Sequence, residues 1–344
     1  MRELKLGIII TALIVTSAIN KLHAQNNTFK RFKNNPIITE NLLPGKDGDN
    51  INGPSLIKAP EWLPNKLGRY YLYFAHHQGN YIRLAYADDL KGPWKVYQPG
   101  TLHLTDCKVC NEGLPKNTAT PGKVRNPETS VKHIASPDLL VDNTNKQLIM
   151  YFHCPIEKGK YKGQYTLRAT SKDGIHFTPD TTVLGYSYFR VFQWKGNYYS
   201  ISRAGQLGRS KDGIAAFEEG PNPFAKLQNK TKYLRHAAVK VKGDTLYVFY
   251  SKVGDAPEKI LLSRITLNDD WNTWTPSTSI VIAEPQEEYE GLSAPVADSK
   301  AGANYGKVRE LRDPCFFEEN KKWYLLYTVA GESGIAIGEL TLTK

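Results

Sequence analysis

Arg235-His236-Ala237-Ala238-Val239-Lys240-Val241-Lys242-Gly243-Asp244-Thr245-Leu246-Tyr247-Val248-Phe249-Tyr250-Ser251 aligns without a gap to the stretch from Arg312 to Thr328. The second copy opens Arg312-Asp313-Pro314 and closes Trp323-Tyr324-Leu325-Leu326-Tyr327-Thr328. In both, apolar and polar residues alternate on either side of a turn, which is the pattern of strand, turn, strand. The same design recurs upstream. Gly53-Pro54-Ser55-Leu56-Ile57 is followed by Arg69-Tyr70-Tyr71-Leu72-Tyr73-Phe74, and Ser136-Pro137-Asp138-Leu139-Leu140 by Gln147-Leu148-Ile149-Met150-Tyr151-Phe152. Phe192 to Ser202 forms the remaining copy. Third strands run from Ile82 to Asp89, Tyr165 to Gly174 and Gln206 to Gly213, each ending at an Asp-Asp or Asp-Gly turn. Pro93-Trp94, His176-Phe177 and Trp271-Asn272-Thr273-Trp274 stand where an outer fourth strand would begin.

Repeated four-stranded units of about 50 to 80 residues mark a β-propeller. Five units fill the chain after its first two dozen residues, so the expected fold is all-β, a single five-bladed β-propeller over residues 25–344. Radial stacking removes the long exposed sheet edges that an open sheet of this size would carry. A double β-sandwich is the rival, and it leaves the similar spacing within each unit unexplained. Phe32 to Thr39, ahead of the first unit, is expected to help close the ring against the last.

Composition agrees. Of 344 residues, 40% are hydrophobic and 23% charged, which excludes wholesale disorder. Twenty Tyr, 12 Phe and 6 Trp against 2 Met suit β-strands, and flat rings also suit the apolar faces of sugars. The net charge of +11 comes from scattered basic residues without a dense run, which argues against nucleic acid. An acidic polysaccharide, the anionic cell envelope and a simply solvated surface all fit it. Residues 1–24 read as a cleavable secretory signal: Arg2 and Lys5, an apolar run from Leu6 to Ile19, then Leu22-His23-Ala24. That run is too short for a comfortable membrane span, and no later stretch is apolar enough for one. The expected location is the periplasm or the cell exterior, without stable membrane insertion. Cys107-Lys108-Val109-Cys110 has the spacing of half a zinc site without its second half, so a local disulfide or free thiols are expected. Cys154 and Cys315 read as buried small residues. No His-x-x-x-His spacing exists; neither a metal nor another cofactor is expected.

In a propeller the innermost strand of every blade runs along the axis, and the loops before these strands converge on one mouth. The motifs expected there are Asn52-Gly53-Pro54-Ser55, Ser136-Pro137-Asp138, Tyr188-Phe189-Arg190, Arg235-His236 and Arg312-Asp313-Pro314. Carboxylates, a histidine, three arginines and an aromatic pair are costly to bury unless paired or used.

The five-unit pattern and the Arg-Asp-Pro motif resemble the five-bladed propeller glycoside hydrolases, the group containing families 43, 32, 68, 117 and 130. The likeness spans essentially Asn35 to Leu340. It implies a catalytic base or nucleophile, a supporting Asp and a general acid drawn from three blades. The family 43 triad does not carry over. Its base would fall at Gly53-Pro54, its supporting Asp at Ser136, with Asp138 two residues on, and its acid near Phe189.

The substitute groups are Asp138, or else a turn Asp; Glu290 in Glu287-Glu288-Tyr289-Glu290-Gly291, on a loop read as lying over the mouth; Asp313, catalytic or salt-bridged to an Arg; and His236, an acid by analogy with family 117 or a packed histidine. Arg190, Arg235 and Arg312 could hold a uronic carboxylate or a sulfate, or balance Asp138 and Asp313. His133 and Tyr188 complete the expected binding surface, with His76-His77 as further polar groups near strand ends and Asp49 as a reserve for the missing base. The expected function is an exported, exo-acting glycoside hydrolase on an oligo- or polysaccharide of plants or algae. A lyase with His236 or Tyr188 as base and an Arg neutralising a uronate is the second reading. A noncatalytic glycan-binding propeller is the third.

Overall fold

The computed structural model describes residues 27–112 and 131–343. The signal read in residues 1–24 lies outside them. Five antiparallel sheets follow one another along the chain and form a five-bladed β-propeller. Blade one comprises Asn52–Lys58, Tyr70–Ala75, Tyr81–Ala87 and Lys95–His103. Blade two comprises Ala135–Asp142, Gln147–Lys158 and Tyr161–Ser171, edged by Thr178–Pro179 and Gly185–Tyr186. Blade three is the smallest: Arg190–Trp194, Asn197–Ile201, Leu207–Ser210 and Glu218–Glu219. Blade four runs Tyr233–Lys242, Thr245–Val253, Ile260–Thr266 and Ile280–Ala283.

Blade five takes Arg312–Glu319, Lys322–Thr328 and Gly334–Thr341 from the end of the chain. Its outer strand, Thr28–Arg31, comes from the beginning, and Ile38–Thr39 pairs with the same neighbour. The ring is closed as expected, by strand pairing between the two ends of the described chain. The outer strands begin slightly later than the aromatic markers. Trp94, Phe177, Trp271 and Trp274 are buried in the turns instead.

Each interface between blades carries its own apolar layer. Tyr73, Leu84, Met150 and Phe152 fill that between blades one and two, and Phe192, Ile201, Val248 and Trp271 that between three and four. Further layers join four to five and five to one. Both faces of an inner or second strand meet a neighbouring blade, which is why Tyr70 to Ala75 is buried throughout. The layer between blades two and three is the thinnest, with Ile149, Tyr151, Leu184, Phe189 and Val191 as its buried members. Full burial of such side chains stabilises by about 1.5–3 kcal/mol each. Among the described residues, no helix is long and apolar enough to cross a membrane.

Candidate functional site at the mouth of the ring

Four of the five inner strands share one irregularity near the axis. A two-residue bulge interrupts the pairing between Asn52 and Ser55, Ala135 and Asp138, Leu234 and Ala237, and Arg312 and Cys315. Bulges turn side chains out of the pleat, and here they aim them at the mouth. Gly53 (φ 59°), Ser136 (φ 52°), Tyr188 (φ 67°) and Asp313 (φ 47°) are left-handed. For the three that are not glycine this costs of order 1–3 kcal/mol each, a strain that clusters at functional sites.

One residue past the bulge, a side chain stitches three of the blades to their neighbours. Ser55 Oγ accepts from the Leu139 backbone N–H (2.9 Å), Cys315 Sγ from Leu56 (3.4 Å), and Asp138 Oδ2 from Val191 (2.8 Å). Asp138 is thus the blade-two copy of a structural contact that serine and cysteine make elsewhere. It faces the axial cavity of about 130 Å³ below the mouth, beside Arg190. Burial pushes its carboxyl up, against the opposing pull of Arg190 and the Val191 N–H. Arg190 donates to the carbonyls of Pro137 and Phe189.

The mouth itself gathers Tyr188, Arg203, Arg235, His236 and Glu332 around about 20 Å³ of open space. Arg235 and Arg312 do not await an anionic ligand. Arg235 is bidentate to Glu258 (2.8 and 2.9 Å), and Arg312 pairs with Glu310 (2.7 Å) and Glu332 (3.0 Å). The sequence reading offered Asp138 and Asp313 as their balance; the actual partners are three glutamates. Glu258 and Glu332 occupy corresponding turns, between second and third strands of blades four and five. Asn50 and Asn52 also donate to Glu332, and His77 lies 3.6 Å from it. Burial works against an ionised Glu332, but His77, Arg312 and Asn50 outweigh it and hold the carboxyl well below the usual range.

His236 has the arrangement of a proton-transfer group. Its Nδ1–H donates to Asp313 Oδ1, and Asp313 Oδ2 accepts from the Gly53 N–H at 3.2 Å. Its other nitrogen, Nε2, is buried and has no partner. The Tyr188 ring stands edge-on to His236, centroids 4.1 Å apart, and Tyr188 also meets His153 at 4.4 Å. Burial alone would raise the Asp313 carboxyl; the charge of His236 and its hydrogen bond hold it below the usual range. A carboxylate that fixes Nδ1–H leaves Nε2 to exchange a proton.

No family model matches the sequence. An uncharacterized protein of Acanthamoeba polyphaga mimivirus is 37% identical over 327 residues, covering 89% of this chain and 88% of the viral one. The chain belongs to the family of that viral protein. Solved structures with the same fold include an α-L-arabinofuranosidase from Lactobacillus brevis (TM-score 0.57, 11% identity, 90% of this chain and 93% of that one). An exo-1,5-α-L-arabinanase from a bovine ruminal metagenomic library is similar (TM-score 0.53, 13% identity, 86% and 94%). So is a family 43 β-xylosidase/α-arabinofuranosidase from a compost metagenome, in complex with xylotriose (TM-score 0.54, 14% identity, 85% and 91%). The fold of this family is therefore that of the five-bladed propeller glycoside hydrolases.

Of the residues expected at the site, Tyr188, Arg235, His236, Arg312 and Asp313 are brought together at the mouth. Glu290 is not. It is fully buried at the outer side of blade five, where it takes hydrogen bonds from Arg31, Tyr327 and the backbone N–H groups of Gln286 and Glu287. The loop around it serves as a staple for the outer strand Thr28–Arg31 rather than as a cover for the mouth. His133 is reached from the mouth through His77 and His153. Cys154 proves to be the partner that the Cys107–Cys110 pair lacked: the three buried sulfurs lie within 4.8 Å of one another, with Cys110 placed to form a disulfide with either of the others, one at a time. They are the group among the described residues that could hold a soft metal ion, and they lie away from the mouth.

The histidines behind the mouth predict an acid-labile fold. Burial lowers His133 from 6.5 to about 4, and lowers His153 further below its usual value. Above pH 6.5 both states are neutral and nothing is gained or lost. Below it the unfolded chain takes up protons that the folded chain refuses, so stability falls through the window from 6.5 to about 4. For His133 the slope is about 1.4 kcal/mol per pH unit, or about 2 kcal/mol between pH 6.5 and 5. Denaturant midpoints across this range should drop accordingly, and His133→Gln should flatten the profile. A flat wild-type profile contradicts the burial argument.

Proposed function

We propose that the protein is an exported, exo-acting glycoside hydrolase whose reaction takes place at the mouth of the ring. The observation that carries this is the His236–Asp313 pair with Nε2 unpartnered among strained, converging strand ends. His236 Nε2 gives a proton to the glycosidic oxygen as that bond breaks. Glu332, kept anionic, stabilises positive charge developing at the anomeric carbon. Water then adds to that carbon and returns a proton to His236, so hydrolysis is balanced without a cofactor. A sugar ring exceeds the present opening. Its admission requires the backbone around Ala301 and Gly302 to move, released from Arg235 on Lys300 O and Arg312 on Gly302 O. Export is supported by the basic and apolar pattern of residues 1–24.

A lyase is the second reading, favoured by Tyr188 against His236: one proton-transfer pair suffices to remove a proton beside a uronate. The commitment of Arg235 and Arg312 to glutamates weighs against it. Incubation with neutral and uronate-containing oligosaccharides separates the readings. The hydrolase releases single sugars with a free reducing end. Unsaturated uronates absorbing in the ultraviolet mark the lyase, and binding without any product marks a noncatalytic propeller. Either of the last two results rejects the proposal.

A further inference from the structure

A cavity away from the mouth belongs to no part of the site described above. It opens between blades two and three, where the interblade layer is thinnest, and holds about 330 Å³. Ligand cavities run from about 300 to 1,000 Å³, so this one is at the small end of that range. Tyr161, Tyr165 and Tyr186 form one wall. Tyr165 and Tyr186 are cross-strand partners with stacked rings, 6.4 Å apart and 18° from parallel, and Tyr161 meets Tyr165 edge-on at 5.1 Å. Tyr186 is 45% exposed, an unusual position for a large ring. On the floor, Ser200 is wholly buried and its hydroxyl has no hydrogen-bond partner. Gly208 keeps that floor open, since a Cβ there would come within 2.7 Å of Ser200 Oγ. Lys160 and Glu219 contribute one charge of each sign to the lining.

We propose that this cleft is a second, noncatalytic site for a neutral saccharide, one or two rings of a longer glycan. Stacked tyrosines cover the apolar face of a sugar ring, and Ser200 and Glu219 pair with its hydroxyls. A buried hydroxyl without a partner is a cost that a hydroxylated ligand removes. Balanced charge in the lining selects against a uronate or a sulfate. The class of ligand rests on the glycan reading above, whereas the site is independent of the mouth chemistry. A glycan held here is anchored to the side of the ring while its end is processed on the axis.

The test is calorimetric titration of the full chain with short neutral oligosaccharides of xylose, arabinose, galactose and glucose. The expected result is that at least one binds wild type and His236→Gln equally. Tyr186→Ala weakens it about tenfold or more, the scale of one lost aromatic contact. Ser200→Ala, which removes no packing group, weakens it several-fold at an unchanged melting temperature. The proposal is overturned when none of the four binds wild type, or when Tyr186→Ala and Ser200→Ala bind as wild type does. Binding that His236→Gln abolishes and Tyr186→Ala spares also overturns it, while leaving the hydrolase reading intact. Loss in the Tyr186 variant without any hydrolysis by wild type keeps this site and removes the hydrolase.

Discussion

Replacing His236 by glutamine should lower the rate of glycoside cleavage by about 10²–10⁴-fold, the usual contribution of a positioned acid or base. Glutamine keeps the shape and can still donate to Asp313, so the melting temperature should change little; what disappears is a nitrogen that can gain and lose a proton. Asp313 acts through His236 and is a positioning residue. Asp313→Asn is conformationally mild, because asparagine tolerates the left-handed φ of 47° found there. Its amide can donate to Nδ1, which moves the proton of the neutral ring to Nε2. With the proton on the wrong nitrogen, kcat should fall while KM stays close to that of wild type. A merely structural aspartate would leave kcat of the folded protein alone. Full activity in His236→Gln, with the fold intact, removes the histidine from the chemistry.

The fold could be read from the chain because it is repetitive. Each blade repeats the alternation of strand, turn and strand, and the gapless match of Arg235–Ser251 with Arg312–Thr328 survives in the hairpins, where Lys242 faces Thr245 and Glu319 faces Lys322. The mouth was legible in part, since topology alone brings blade openings to one place. What could not be read was which side chains would neutralise one another there. Glu258 follows Arg235 by 23 residues, and Glu332 follows Arg312 by 20. The signal was a Glu in the turn between second and third strands of blades four and five, but Gly254 and Gly331 give those turns the look of plain strand connections. Asp138 was ambiguous for a different reason. Its equivalents are Ser55 and Cys315, three residue types with no common chemistry except that each accepts a backbone N–H. Glu290 stood in an acidic loop, and the arginine that buries it lies 259 residues away.

Arg312→Met should be among the most destabilising single changes in the protein. Arg312 is 2% exposed and neutralises Glu310 and Glu332, both nearly inaccessible to water. Methionine fills the volume but leaves two carboxylates buried without their cation. Breaking a buried pair from one side costs about 3–5 kcal/mol. At about 2–4 °C per kcal/mol for domains of this order of size, the melting temperature should fall by about 10 °C at pH 7. Lys322→Met removes a solvent-exposed partner of Glu339 instead, and should leave the melting temperature close to that of wild type. The pH dependence gives a sharper check. In wild type Glu332 sits below its ordinary value, so its contribution is present above that value and lost on acidification. Without Arg312 the balance tips toward burial, which already raises Glu310, and a raised carboxyl gains folded-state stability as pH falls. The gap between Arg312→Met and wild type should thus narrow from pH 7 toward pH 5, and adding Glu332→Gln to the variant should recover part of the loss. Equal melting temperatures at pH 7 would mean that these charges are solvated, and that the closed, carboxylate-lined mouth described here does not exist in solution.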